Sequence, residues 1–479
     1  MRPRHIVCFI AVCLVLLGGV CAVAEYDKQW LSPLRFPTLS SMLPTRPAAV
    51  PDTTNIQDTV AEPALFLNDT ITLVAEVAEM GEDTTTAEDS KQTGAADTPR
   101  VRAFPADSLP PVKPSVQALD AFISALSDAG MKAVRVVHYG DSQIEEDRIT
   151  ATIRRNLQRL YGGGGPGLIP LLQTIPTRTI KQSLTLDGKP VSAKTGPQRY
   201  LVYGPKSQQR DSDNYGPMGQ VAIMDTLRRA GSNHIVLHVE PYGKTSSANY
   251  FSQVRLLCTD SIEVNARSEK ILTLPDSSTE CTIEFYGQGE VYGISLETPA
   301  GVIVDNIPMR GGSGNVFTHI NRQQLESFFR ETNTRLIILQ FGGNVMPWAD
   351  TPERVRGYAN SMRKQIRYLR SCAPEASILF VGPSDMTTVI EGERTSYPML
   401  PLMDRQLARM ASLEGIAYWS LYEAMGGWNS MMTWNEKGLA ATDGVHFTQR
   451  GADKAGGLLW KWIEKKITEG QKAKSGSNE

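Results

Sequence analysis

An α/β fold, with a parallel sheet covered by helices on both faces and interrupted by an inserted all-β unit, is what this sequence predicts. Two observations carry it. Short apolar, β-branched runs alternate with helical stretches over much of the chain, and such alternation argues for a parallel sheet with crossovers on both faces. A stretch from about 168 to 299 breaks that rhythm with close-set short strands in a Gly-, Ser- and Thr-rich background, which reads as a β-sandwich.

The elements follow in chain order. Residues 1–24 open with Arg2 and Arg4, continue through an apolar run from Ile6 to Val20, and end on Ala22-Val23-Ala24. That is the layout of a secretory signal peptide, too short for a membrane anchor. It implies export, to a periplasm or cell surface, without stable membrane insertion. Residues 25–114 are rich in Thr, Pro, Ala and acids, and Lys91 is the one basic residue between Pro51 and Asp97. Such a segment buries too little apolar surface to offset its ordering entropy, so it is expected to be a disordered tether.

The first part of the α/β domain, 115–167, begins with "QALDAFISALSDAG", an amphipathic helix ended by Gly130. "AVRVVHY" is the first strand, and "IEEDRITATIRRNLQRLYG" reads as a helix with acids first and bases last, an order that suits the helix dipole. The insert, 168–299, holds "HIVLHVE", "SQVRLLC", "SIEVNA", "KILTL" and "CTIEFYG" as short strands. The second part, 300–467, supplies four buried strands, "GVIVDNIPM", "RLIILQF", "ASILFVG" and "IAYWSL". Helices are expected over about 321–332, 352–371, 398–414 and 448–467, with 468–479 a disordered tail.

Composition excludes several classes of function. The formal net charge of the 479 residues is -2, whereas nucleic-acid binding demands a basic surface. Of 6 cysteines, Cys8, Cys13 and Cys21 lie in the signal and Cys258, Cys281 and Cys372 remain, so the mature chain is no disulfide scaffold. Cys258 and Cys281, on two insert strands, are candidates for pairing in an oxidising compartment. No CxxC, HExxH or close His/Cys cluster is visible, so neither a metal nor another cofactor is expected.

In an open parallel sheet, ligands bind beyond the carboxyl ends of the strands. The residues there are Gly140-Asp141-Ser142, then Arg310 to Asn315, then Gly342-Gly343-Asn344, and, before the last helix, Thr442 to Phe447 with Asp443 and His446. One edge therefore carries a serine, glycine backbone donors, a side-chain amide, a carboxylate and an imidazole, the set that acyl transfer needs. Each also has a plain structural role open to it: Ser142 and Asp443 as helix caps, Asn344 as a turn residue, Gly311 and Gly312 as loop formers. Ser313 competes as nucleophile because "GGSGN" is close to a G-x-S-x-G elbow, but Asn315 stands where that elbow needs a small residue. His138 lies on a strand and reads as structural, and the strand "HIVLH" separates the rings of His234 and His238.

The four blocks resemble those of SGNH (GDSL-type) hydrolases, serine esterases with a flavodoxin-like three-layer fold on a five-stranded parallel sheet. The resemblance rests on Gly140-Asp141-Ser142, Gly311, Gly342-Gly343-Asn344 and Asp443-Gly444-Val445-His446, and covers about 116–467 apart from the insert. It implies Ser142 as nucleophile, His446 as base and Asp443 as its orienting carboxylate. The Ser142 N–H, a block-two glycine N–H (Gly311) and the Asn344 amide would form the oxyanion hole. Three positions depart from the pattern: Gln143 for Leu, Arg310 for the frequent Asn of block two, and Val345 for an acid after Asn344.

A β-unit entering after "RLYGGGGPGLIP" makes the chain similar to bacterial peptidoglycan O-acetylesterases with an inserted carbohydrate-binding-like module. That implies O-acetylated polysaccharide or peptidoglycan as substrate, with Tyr242, Tyr250 and Tyr286 available to stack on sugar rings or to fill a core. An acetyltransferase or acetyl-xylan-type esterase on the same triad, and a catalytically silent glycan-binding protein, are the competing readings.

Overall fold

A computed structural model of the chain describes residues 118–191, 196–225, 234–243 and 250–476. The expected signal peptide and tether lie outside the described residues. Among the latter, no helix is long and apolar enough to cross a membrane.

Five strands form one sheet: β1 (Ala133–Gly140), β2 (Gly301–Pro308), β3 (Thr334–Gln340), β4 (Ser377–Val381) and β5 (Ala417–Trp419). Their order is β2-β1-β3-β4-β5 and every pairing is parallel. Alternate residues of a strand point to opposite faces, and here both faces are buried. Ile337 and Leu339 of β3 join one core, Leu336 and Ile338 the other. That double burial is why these strands are continuous apolar runs rather than alternating ones.

Helices α1 (Asp120–Ala125), α2 (Thr150–Tyr161) and α6 (Gln449–Gly476) cover one face, placing Phe122, Ile153, Leu157, Leu459 and Ile463 against it. Helices α3 (Arg322–Glu331), α4 (Pro352–Cys372) and α5 (Leu400–Glu414) cover the other with Phe328, Tyr358, Met362 and Leu407. Their limits follow local chemistry. Asn321 accepts from the Gln324 N–H at 3.0 Å, Thr351 caps α4 ahead of Pro352, and Gly415 ends α5 in the left-handed region.

Two expectations need correction here. The helix expected from Ile144 begins only at Thr150. Residues Ser142–Asp147 form a 3₁₀ segment broken at Glu145 and Glu146, with Glu146 and Asp147 at φ 58 and 64. The acids are not complementing a dipole but taking partners from elsewhere: Glu145 pairs with Arg310, Glu146 with Arg178 and Asp147 with Arg154. At the other end, α6 continues past Ile467 into the expected tail, as far as Gly476, where Gly470 packs on Ile123.

Between α2 and β2 the chain builds two antiparallel sheets. One contains Ile271–Ser278, Phe251–Cys258, Gly289–Glu297, Gln220–Met224 and Gln198–Leu201, with Gly167–Ile169 beside Gly289–Glu297; the other contains Lys189–Pro190, Ile180–Leu186, Ile235–Pro241, Cys281–Gly287 and Ile262–Val264. Leu184, Leu237 and Phe285 of the second share a core with Val254, Leu256 and Ile294 of the first. Cys258 and Cys281 are unpaired; they sit on strands of different sheets, and burial raises both thiols, Cys281 to about 12.

Buried polar contacts tie this unit to the parallel sheet. Arg135 on β1 donates to both Asp305 oxygens at 2.7 and 2.9 Å, to Ser295 at 3.0 Å and to Glu297. Asp305 also accepts the Leu168 N–H at 2.8 Å. A buried charge set of this kind holds only while each member keeps its partners.

Candidate active site

The candidate residues converge at the carboxyl edge of the sheet. Ser142 follows β1 directly, at the start of the 3₁₀ segment, with the Asp141 side chain accepting the Gln143 N–H at 2.9 Å. The Ser142 hydroxyl lies 2.9 Å from His446 Nε2, and His446 Nδ1 lies 2.8 Å from Asp443 Oδ2. A carboxylate only accepts, so Nδ1 carries the proton and Nε2 presents its lone pair to the Ser142 hydroxyl.

Asp443 is held by its own turn. Its Oδ1 accepts the Val445 N–H at 2.9 Å and the His446 N–H at 3.0 Å. Burial acts to raise this carboxyl, but the hydrogen bonds from the His446 ring and the two backbone N–H groups outweigh it and bring it down to about 2. Gly444 allows the turn: its φ is 69, and any side chain there would overlap Thr387. Thr387 begins a hairpin of Thr387–Ile390 and Glu393–Ser396, whose backbone N–H holds the Gly444 carbonyl at 2.9 Å. The sequence reading missed that hairpin.

Two further side chains missed by the sequence reading lock block one to the His446 loop. The Gln143 amide donates to the Val445 carbonyl at 2.6 Å and to Ser384 Oγ at 3.3 Å. Arg148 donates to the carbonyls of Ser142 at 2.7 Å, Glu145 at 3.0 Å and Phe447 at 3.2 Å. The departure of Gln143 from the resembled pattern was the one available signal; nothing in the sequence marked Arg148.

Asn344, after β3, lines one small hollow with Ser142, Gly343, Pro383 and Val445. One N–H of its amide donates to the Gly312 carbonyl at 3.1 Å, and an amide has a second. The Gly312 N–H is occupied by the Met309 carbonyl at 2.8 Å, so Gly311, at φ 73, is the block-two glycine that keeps its candidacy.

The other candidates take no part in the Ser142–His446–Asp443 series. Ser313 is 3% exposed; its Oγ accepts the Asn315 N–H at 3.4 Å and its carbonyl accepts the Tyr358 hydroxyl at 2.7 Å. His138 is buried with Nδ1 2.9 Å from the Thr150 hydroxyl, and burial pushes its pKa down to about 3. His234 stacks on Tyr286 at 4.5 Å, whereas Tyr242 and Tyr250 are 48% and 38% exposed. Among the described residues, no group of three or more His, Cys, Asp or Glu is arranged to hold a metal.

No family model matches this sequence, and no curated protein does. Solved structures do. A peptidoglycan O-acetylesterase superposes with a TM-score of 0.58 at 17% identity, covering 74% of this chain and 96% of that one. This chain shares the fold of that protein. The 74% share is more than the parallel-sheet part alone accounts for. A carbohydrate acetylesterase from Sinorhizobium meliloti overlaps 34% of this chain and 79% of its own, at 13% identity and a TM-score of 0.25. An acetyl xylan esterase overlaps 34% and 81%, also at 13% and 0.25.

Proposed function

We propose that this protein is an exported serine esterase that removes O-acetyl groups from a cell-envelope glycan, and that the glycan is peptidoglycan. The observation that carries the reading is the hydrogen-bonded series Ser142–His446–Asp443 at the carboxyl edge of the sheet. In it His446 Nε2 takes the hydroxyl proton as Ser142 Oγ attacks the acetyl carbonyl carbon. The resulting oxyanion is held by the Ser142 and Gly311 N–H groups and the second Asn344 N–H, donors that act most strongly where water is excluded. His446 returns the proton to the departing sugar oxygen, and water then attacks the acetyl-serine by the same route to release acetate. Asp443 keeps the imidazole in the required tautomer and stabilises its charged form.

The 24-residue leader pattern supports export. The breadth of the likeness to a peptidoglycan O-acetylesterase supports the substrate. The two antiparallel sheets would form a separate carbohydrate-gripping sandwich: acetate is small, so a long sugar chain needs a second surface to be held. Acetate release from O-acetylated peptidoglycan, compared with acetylated xylan, tests the proposal. Peptidoglycan should be the better substrate and Ser142→Ala inert on both; equal or better turnover of xylan would overturn the substrate assignment.

A further inference from the structure

Glu146 and Asp147, shortly after Ser142, both stand in the left-handed region, at φ 58 and 64. Residues with a side chain seldom adopt that conformation, and Glu does so less readily than Asn or Asp. They persist where surrounding contacts fix them, and they gather at active sites. Here the contacts come from several directions. Arg154 of α2 and the Thr179 hydroxyl both donate to Asp147 Oδ2, and Arg154 Nε also donates to the Val304 carbonyl of β2 at 2.8 Å. The Arg178 N–H donates to the Glu146 carbonyl at 3.3 Å. Asp147, Arg154 and Thr179 are all buried.

Arg178 and Thr179 belong to the inserted unit. The Thr179 carbonyl accepts the Tyr242 N–H at 3.0 Å, directly after the strand Ile235–Pro241, so this segment is fixed to the second antiparallel sheet. The corner also borders a cavity of about 330 Å³ beside β2, lined by Glu145, Glu146, Asp147, Thr179 and Arg310 among others. On that side polar contacts, rather than close packing, hold the backbone.

What the corner holds in turn is the nucleophile. Arg148, next in the chain, donates to the carbonyl of Ser142 at 2.7 Å and to that of Phe447, which follows His446, at 3.2 Å. A backbone change at Asp147 re-aims that guanidinium, and with it the 2.9 Å approach of Ser142 to His446.

We infer that the inserted unit takes part in the chemistry itself: Thr179, acting through Asp147, is a positioning residue for Ser142. The inference rests on the esterase reading of Ser142, but not on which glycan carries the ester.

A chromogenic acetate ester tests it, because so small a substrate gives the inserted unit nothing to grip. Thr179→Val, close in volume but without the hydroxyl, should lower kcat about tenfold with KM little changed, since small misplacements of reacting groups carry penalties of that order or more. Thr179→Ser should restore the rate. In the Thr179→Val background, Glu146→Asn should recover much of the loss, because Asn enters the left-handed region more readily; a merely structural contact would not be rescued in this way. Melts on the same preparations give the fraction folded at the assay temperature, and Thr179→Ala is a second variant in case the valine variant fails to fold. Wild-type kcat without the hydroxyl, a loss no greater than the unfolded fraction, or no recovery with Glu146→Asn would each overturn the inference alone. A wild type that hydrolyses no ester would instead remove the esterase reading, and this inference with it.

Discussion

Arg310 and Glu145 meet as a two-pronged ion pair, Nε to Oε1 and Nη2 to Oε2 both at 2.7 Å. The arginine that departs from the block-two pattern thus reaches back to block one and anchors the corner after Ser142. The Glu145 side chain is 5% exposed and that of Arg310 38%, so the pair is worth less than a fully buried one. Arg310→Ala should cost about 1–3 kcal/mol in a denaturant melt, because it strands a buried carboxylate. Arg310→Lys should recover only part of the loss, since an ammonium cannot match both oxygens.

Ser142→Ala should abolish acetate release and prevent labelling by an organophosphonate, while Ser313→Ala leaves the label in place. The contrast follows from position: Ser142 faces His446 and Ser313 is packed under Tyr358. A label found by mass spectrometry on the Ser313 peptide would reverse the assignment.

Asn344→Ala should lower kcat by on the order of 10²–10³ with KM little changed, the usual effect of removing one oxyanion donor. Loss of the bond to Gly312 adds a stability cost of about 1 kcal/mol. Steady-state kinetics and a melt on the same preparation separate the two effects.

Asp141 supplies a pH dependence. Burial pushes its carboxyl up to about 6, against the Gln143 N–H that lowers it. Between the ordinary value of 3.8 and about 6 the folded state therefore holds the extra proton. Stability falls as pH rises through that window. Asp141→Asn stays neutral throughout, so its stability relative to wild type should rise between pH 4 and pH 7, by up to about 3 kcal/mol. Parallel denaturation curves at the two pH values test it; a constant difference would show that Asp141 is not strained by burial.

The parallel sheet was legible because its strands are buried on both faces, which leaves uninterrupted runs such as "RLIILQF". Helices α4 and α5 were expected within two residues of where they stand, because they fill the intervals between those runs. The corner after Ser142 was not. "IEED" satisfies every local rule for a helix start, yet Arg310, Arg178 and Arg154 draw its acids in three directions and the backbone turns. The carboxyl-terminal tail misled for the opposite reason: its polar composition hid a helix that packs on Ile123 through Gly470.

By itself, the order of residues determined which groups stand at the strand ends: Ser142 after the first strand, Asn344 after the third, and Asp443 and His446 on one turn, three apart. Local spacing sufficed for the Asp443–His446 contact, because a single turn brings both together. The 2.9 Å between Ser142 and His446 spans 304 positions of sequence, and only the assembled sheet, with Gln143 and Arg148 clamping the two loops, decides it. The same holds for the cavity beside β2. Its lining comes from segments that meet only after the chain has folded, so no local sequence pattern records it.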